Sequence, residues 1–101
     1  MQLFEIKTPL NKQIRLTKEN WNKIITEKHP VMKDHFDEIK NTLENSEIIR
    51  LSKWDPTVWL YYRKSDNYYI CVVTKIENST GFIITTYLTD KIKIGEELWK
   101  R

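Results

Sequence analysis

Hydrophobic and polar residues alternate along the first part of the chain, and the alternation then gives way to a helical spacing. Residues 3–7 and 13–16 alternate apolar and polar side chains on either side of a Pro-Leu-Asn-Lys turn, a pattern that predicts a β-hairpin. Residues 18–28 and 32–44 carry apolar side chains three and four positions apart, which is typical of amphipathic helices. Thr17 is placed to cap the first helix, and Pro30 is expected to end it.

From residue 47 onward the hydrophobic period becomes two, which indicates strands at 47–53, 58–64, 68–75 and 81–89. The connections between them are short, so the strands should form an antiparallel meander. Residues 90–101 are expected to begin as a strand and end as a helical turn. The sequence therefore predicts one α+β domain spanning residues 1–101: an N-terminal β-hairpin, two α-helices, then a four-stranded antiparallel β-meander with the helices on one face. An antiparallel sheet of this kind can leave its second face open to solvent or ligand.

Composition narrows the class without identifying a function. The 101 residues are 40% hydrophobic and 31% charged, with two glycines, as in an ordinary well-ordered protein. Cys71 is the only cysteine, so an internal disulfide is impossible, which fits a reducing cytoplasm. The apolar stretch at the start of the sequence is too short for a signal peptide. No apolar run is long enough for a membrane span, so we expect a cytoplasmic protein without a membrane partner. The net charge of +3 permits nucleic-acid binding but does not require it.

The segment WLYYRK, residues 59–64, raises the question of a binding face. If Leu60 points toward the helices, then Trp59, Tyr61 and Arg63 share the open face, to which the neighbouring strands would add Lys75, Thr85 and Tyr87. Arginine holds phosphate through paired donors, and aromatic rings stack on unpaired bases. The alternative is that these aromatic residues simply pack in pairs across neighbouring strands. The sequence alone leaves both interpretations open.

Two histidines are candidates for chemistry. His29 ends the first predicted helix, and imidazole is the side chain that most often transfers protons in catalysis. The alternative role is a surface histidine that caps the helix end. His35 is expected to be structural, and Cys71 to be a small buried side chain. The two histidines lie six residues apart across a proline, which is not a metal-binding spacing, so no metal is expected.

Three segments of the chain resemble a known group of proteins: LTKENWNKIITEKHP, SKWDPTVWLYYRK and GFIITTYLTDKIKIGEELW. Two short helices followed by a four-stranded meander with these segments resemble the barnase–EndoU–colicin–RelE superfamily of compact ribonucleases, and within it a branch of small bacterial, archaeal and phage-associated proteins. The resemblance implies metal-independent RNA cleavage without a cofactor, in which the ribose 2′-hydroxyl attacks the adjacent phosphate.

The resemblance also implies roles for individual residues and a partner. His29 would act as acid or base, Arg63 would hold the phosphate, and Thr85 and Tyr87 would orient it. The face assignment adds Trp59, Tyr61 and Lys75 as substrate-binding residues. Such ribonucleases are often toxins of toxin–antitoxin or mobile-element defence pairs, so a small cognate antitoxin is implied as well. The alternative is a non-catalytic RNA- or protein-binding module of the same fold. Catalysis as implied here requires His29 and Arg63 to reach one phosphate together.

Overall fold

The computed structural model describes residues 1–101 and has the α+β architecture that the sequence predicts. All strands belong to one seven-stranded sheet in the order β1-β2-β6-β5-β4-β3-β7. The elements are β1 (Gln2–Lys7), β2 (Gln13–Thr17), α1 (Lys18–Lys23), α2 (Phe36–Glu44), β3 (Ile48–Leu51), β4 (Val58–Ser65), β5 (Tyr68–Glu77), β6 (Thr80–Thr89) and β7 (Glu97–Lys100).

The predicted meander forms the centre of a larger sheet. Strands β3 to β6 pair antiparallel with their neighbours, and the N-terminal hairpin adds to the sheet because β2 runs parallel to β6. At the other edge β7 pairs antiparallel with β3. The helical turn expected at the end of the chain is therefore wrong. Leu98 and Trp99 do pack against the core, but from a strand that covers the otherwise unpaired edge of β3.

Both predicted helices are composites. Thr17 caps α1 by accepting a hydrogen bond from the Asn20 N–H at 3.2 Å, as predicted. The chain then widens into a π-type turn at Ile24–Lys28, breaks at His29, and makes a 3₁₀ turn at Pro30–His35 before α2 begins. No helix is both long and apolar enough to cross a membrane.

The sheet has one face covered by helices and one without them, which we call the helix face and the helix-free face. The main core lies on the helix face, between the sheet and the helical segments; among its fully buried members are Ile14, Leu16, Ile24, Met32, Ile39, Leu43, Ile49, Tyr61, Val72 and Ile83. A smaller cluster on the helix-free face contains Leu60, Tyr62 and Cys71. Residues 90–96, which have no regular structure, cross this second face, and Ile92 packs on the cluster.

Strand β6 has two features that position the site. In the pairing of β6 with β5, Thr85 lies opposite Val73 and Ile83 lies opposite Thr74. Ile84, between them on β6, has no partner and forms a β-bulge. In addition, β2 pairs with β6 only as far as Phe82, which leaves the rest of β6 with a free edge. Side chains from the helical segment partly satisfy that edge: the Asn20 amide donates to the Ile83 carbonyl at 3.0 Å, and the Lys28 ammonium to the Ile84 carbonyl at 3.3 Å.

Candidate nucleic-acid interface

A groove of about 420 Å³ lies on the helix-free face. Strands β4, β5 and β6 supply one part of its lining, and two irregular segments, 52–54 and 93–94, supply the other. The lining residues are Ser52, Lys53, Trp54, Val58, Leu60, Val73, Thr85, Tyr87, Lys93 and Ile94. They include two lysines and no carboxylate, so the groove favours an anionic ligand.

Thr85 and Tyr87 contribute hydroxyl groups without hydrogen-bond partners. Both oxygen atoms are buried and neither has a partner of normal geometry in the protein. Buried polar groups are nearly always paired, so two unpaired hydroxyls side by side on one strand are unusual. Burial raises the pKa of Tyr87, and the adjacent Cys71 thiol raises it further. The phenol therefore stays protonated and can act as a hydrogen-bond donor.

His29 reaches the same strand from the break between the helical segments. Its own N–H donates to the Ile24 carbonyl at 2.7 Å, and Pro30 prevents the preceding helix from continuing through it. Because the edge of β6 is free at this point, the imidazole can lie against Tyr87, with the two ring centroids 5.4 Å apart. The structure thus brings His29 against Tyr87, and Thr85 lies two residues before Tyr87 on the same face of β6.

Lys93 completes this group of side chains, although it was not predicted from the sequence. Its ammonium lies 5.5 Å from the centre of the Tyr87 ring. Its backbone is tied to the sheet, because the Lys93 N–H donates to the Tyr62 hydroxyl at 3.1 Å. Lys93 lies in the irregular segment 90–96, where no period in the sequence indicates which way a side chain points. Only the excess of lysine there could have drawn attention to it.

Arg63 does not belong to this group, which corrects the prediction. It lies on the helix face, opposite the core residue Ile70, and its guanidinium donates to the Asn45 carbonyl at 2.8 Å and faces Glu47 at 3.9 Å. His29 contacts Tyr87 on the helix-free face, so Arg63 and Tyr87 lie on opposite sides of the sheet. The catalytic scheme in which His29 and Arg63 hold one phosphate is therefore wrong.

Tyr61 and Trp59 are also on the helix face. Tyr61 is fully buried between the core residues Ile49 and Val72 of the neighbouring strands, and its hydroxyl shares a 3.2 Å hydrogen bond with Thr8. Trp59 packs against the same core. Neither can bind substrate at the groove. The two faces of β4 were reversed in the prediction because alternation shows which residues share a face but not which face meets the helices.

Lys75 has the predicted orientation but lies outside the groove. It is paired with Val58 and Phe82 across the sheet, and its ammonium forms a 3.3 Å ion pair with Asp55. This ion pair fixes the turn before β4. Lys75 therefore supports the groove indirectly instead of lining it.

No family model, curated protein or solved structure matches the chain. No group of three or more His, Cys, Asp or Glu side chains is arranged to hold a metal ion.

Proposed function

We propose that this protein binds single-stranded RNA in the groove on the helix-free face and cleaves it as a metal-independent endoribonuclease. The observation that carries the proposal is the group formed by His29, Thr85, Tyr87 and Lys93, which we call the His29 group. It combines the His29 imidazole and the Lys93 ammonium, both against the Tyr87 ring, with two buried hydroxyls on the same face of β6.

Each member of the His29 group has a role in transfer of a phosphate ester. His29 removes the proton of the ribose 2′-hydroxyl, which attacks the adjacent phosphorus. The phosphorus–oxygen bond to the 5′-oxygen breaks, that oxygen takes a proton from solvent, and a cyclic phosphate remains. Lys93 compensates the negative charge of the crowded phosphate, and the hydroxyls of Thr85 and Tyr87 donate to its oxygens.

The hydroxyl oxygens of Thr85 and Tyr87 are buried in this conformation, so they must be uncovered before they contact a phosphate. Segment 90–96 crosses the helix-free face and lies against Tyr87 through Lys93. A small displacement of this irregular segment is the motion that we expect on binding.

The same burial favours a second candidate function, a binding module without catalysis. In that case RNA contacts Lys53, Trp54 and Lys93 at the rim, and the hydroxyls stay covered. The two candidates share one surface and differ in whether RNA is cleaved there.

Cleavage of labelled single-stranded RNA by the purified protein tests the proposal. His29→Ala should reduce the rate about a hundredfold to ten-thousandfold, the usual contribution of a general base. Lys93→Ala should reduce it about a hundredfold, as for removal of a group that stabilises the transition state. Each variant should keep the melting temperature of the wild type, because both side chains lie at the surface or are only half buried.

Three control variants match these substitutions. Lys91→Ala removes a lysine of the same segment that does not line the groove, His35→Ala removes the other histidine, and Arg63→Ala removes the cation on the helix face. All three should cleave RNA like the wild type. Wild-type activity in His29→Ala would refute the catalytic proposal, and RNA binding without cleavage by the wild-type protein would leave the binding module.

The resemblance noted in the sequence supports a biological role as a cytoplasmic toxin that a cognate antitoxin protein neutralises. Expression in a bacterial host should then arrest growth and degrade RNA, and His29→Ala should do neither. Normal growth with intact RNA during high expression of the wild-type protein would argue against this role.

A further inference from the structure

Two large apolar side chains stand exposed at the rim of the groove. Trp54 is 86% exposed and Ile94 is 81% exposed, and both line the groove. A ligand that covered both side chains would remove a large apolar surface from water, which favours binding. A single exposed apolar residue is common on protein surfaces, but two that line one groove indicate a binding surface.

Both residues are held by anchored segments. The turn that carries Trp54 is fixed by Asp55, whose carboxylate accepts hydrogen bonds from the Thr57 N–H at 2.9 Å and the Thr57 hydroxyl at 2.7 Å. Ile94 precedes Gly95, which lies so close to the Leu51 carbonyl that an added Cβ would be 2.2 Å from that oxygen. The turn that carries Trp54 is therefore built before a ligand arrives, which lowers the entropic cost of binding.

The charges beside these two residues indicate the chemistry of the ligand. Lys53 precedes Trp54 in the chain and Lys93 precedes Ile94, so each apolar side chain has a cation as its neighbour. The Lys53 ammonium lies 5.2 Å from the Trp54 ring centre. No carboxylate lines the groove. A ligand with a flat apolar part and a negatively charged part satisfies both features, and a nucleotide with an unpaired base is such a ligand.

We propose that Trp54 and Ile94 form a base-binding subsite that takes one unpaired nucleobase next to the phosphate held by the His29 group. The subsite rests on the proposed function, because it assigns the base that flanks the scissile phosphate. The apolar side chains of Val58, Leu60 and Val73 on the strands offer no donors or acceptors to a base edge. Recognition is then by stacking, which accepts any base. Bases inside a duplex are stacked on each other and are excluded.

The test measures the affinity of a single-stranded oligonucleotide that carries 2′-O-methyl groups and cannot be cleaved. Trp54→Ala should weaken binding about 5- to 150-fold, the range that corresponds to one stacked base. Trp54→Phe keeps an aromatic ring and should restore most of the affinity. Tyr68→Ala removes another exposed aromatic residue, 52% exposed and outside the groove, and should change nothing. Lys91→Ala removes a lysine that does not line the groove, and this variant should also bind the oligonucleotide normally.

Oligonucleotides with one abasic position identify the subsite directly. At one position, loss of the base should weaken binding by the wild type but not by Trp54→Ala. A duplex of the same sequence should bind more weakly and independently of Trp54.

Unchanged affinity in Trp54→Ala, or equal dependence of duplex binding on Trp54, would overturn the subsite while leaving RNA cleavage by His29 intact. A poly-glutamate peptide that binds in a Trp54-dependent manner, with no binding of any oligonucleotide, would overturn the subsite and the proposed function together.

Discussion

Replacing Tyr61 by Phe tests whether Tyr61 is a core residue or a substrate-binding residue. Its ring is fully buried, and its hydroxyl forms a 3.2 Å hydrogen bond with Thr8, which is itself 3% exposed. Thr8 lies directly after β1, so this bond ties the hairpin to β4 in the middle of the sheet. The phenylalanine ring fills the same space, and only the hydroxyl is lost.

The cost follows from the partners that remain. A buried neutral hydrogen bond contributes about 1 kcal/mol to the free energy of unfolding, and a hydroxyl left wholly unpaired costs about 1–3 kcal/mol. The Thr8 hydroxyl keeps a second contact, from the Lys12 N–H at 3.4 Å, so Tyr61→Phe should cost about 1 kcal/mol. Tyr61→Ala removes the ring as well and should cost about 3–5 kcal/mol, as other large aromatic truncations do.

Urea denaturation and thermal melting measure these changes. For a chain of this size a loss of about 1 kcal/mol lowers the melting temperature by about 4–8 °C. A double-mutant cycle with Thr8→Val should return a coupling of about 1 kcal/mol, because both variants remove the same bond. RNA binding and cleavage should stay at wild-type levels. Weaker RNA binding by Tyr61→Phe at unchanged stability would refute the placement of Tyr61 on the helix face.

Two further predictions concern the helix-free face. Gly95→Ala should displace segment 90–96 and lower RNA affinity while the protein stays folded, because the added Cβ would meet the Leu51 carbonyl at 2.2 Å and the segment has no regular structure to lose. Gly81→Ala is the contrast, because its Cβ would meet the Lys75 carbonyl at 2.5 Å within the sheet. This second substitution should lower the free energy of unfolding in urea by about 1–3 kcal/mol. Equal destabilisation by both would contradict the assigned difference between the two sites. Burial raises the pKa of the Cys71 thiol to about 11 from an ordinary value of 9.0. Iodoacetamide at pH 8 should therefore label the native protein only through unfolding. The free energy of unfolding should fall as the pH rises from about 9 toward 11, because the thiol of the unfolded chain ionises first. Mass spectrometry showing rapid labelling of the folded protein would contradict this burial.

The regular elements could be predicted because their hydrophobic periods are long and uninterrupted. The hairpin and strands β4 to β6 begin and end within one or two residues of their predicted bounds. Thr17 caps α1 as predicted. The pairing of β2 with β6 could not be predicted, since it joins residues 13–15 to residues 80–82 and no local pattern encodes such a contact. Strand β7 was missed for a similar reason: its pairing with the edge of β3 joins residues 97–100 to residues 48–50, and no local pattern encodes that contact.

The candidate site was predicted in part. Thr85 and Tyr87 lie on the helix-free face, and strict alternation would put Ile83 on that face too, but the bulge at Ile84 shifts the alternation by one residue. Ile83 is buried in the main core, and Phe82 instead packs with Arg15, whose guanidinium carbon lies 5.4 Å from its ring centre. A bulge has no reliable signal in one sequence. Strand β4 was assigned to the wrong faces because tyrosine suits either side of a sheet, so its sequence does not fix the sign of the alternation.

The same structural features explain why the His29 group forms where it does. Pairing of β2 stops at Phe82, so the edge of β6 from Ile83 onward is free for the helical segment, which binds it through Asn20 and Lys28. Since the helical segment breaks at His29, the imidazole projects past this edge and reaches Tyr87 on the helix-free face. A continuous helix would keep His29 on the helix face, with Arg63. The cation that Arg63 was expected to supply comes instead from segment 90–96, where the Lys93 ammonium lies against Tyr87. Regular structure thus fixes Thr85 and Tyr87, while two irregular points, the break at His29 and the crossing at 90–96, supply the groups that can move a proton and hold a phosphate.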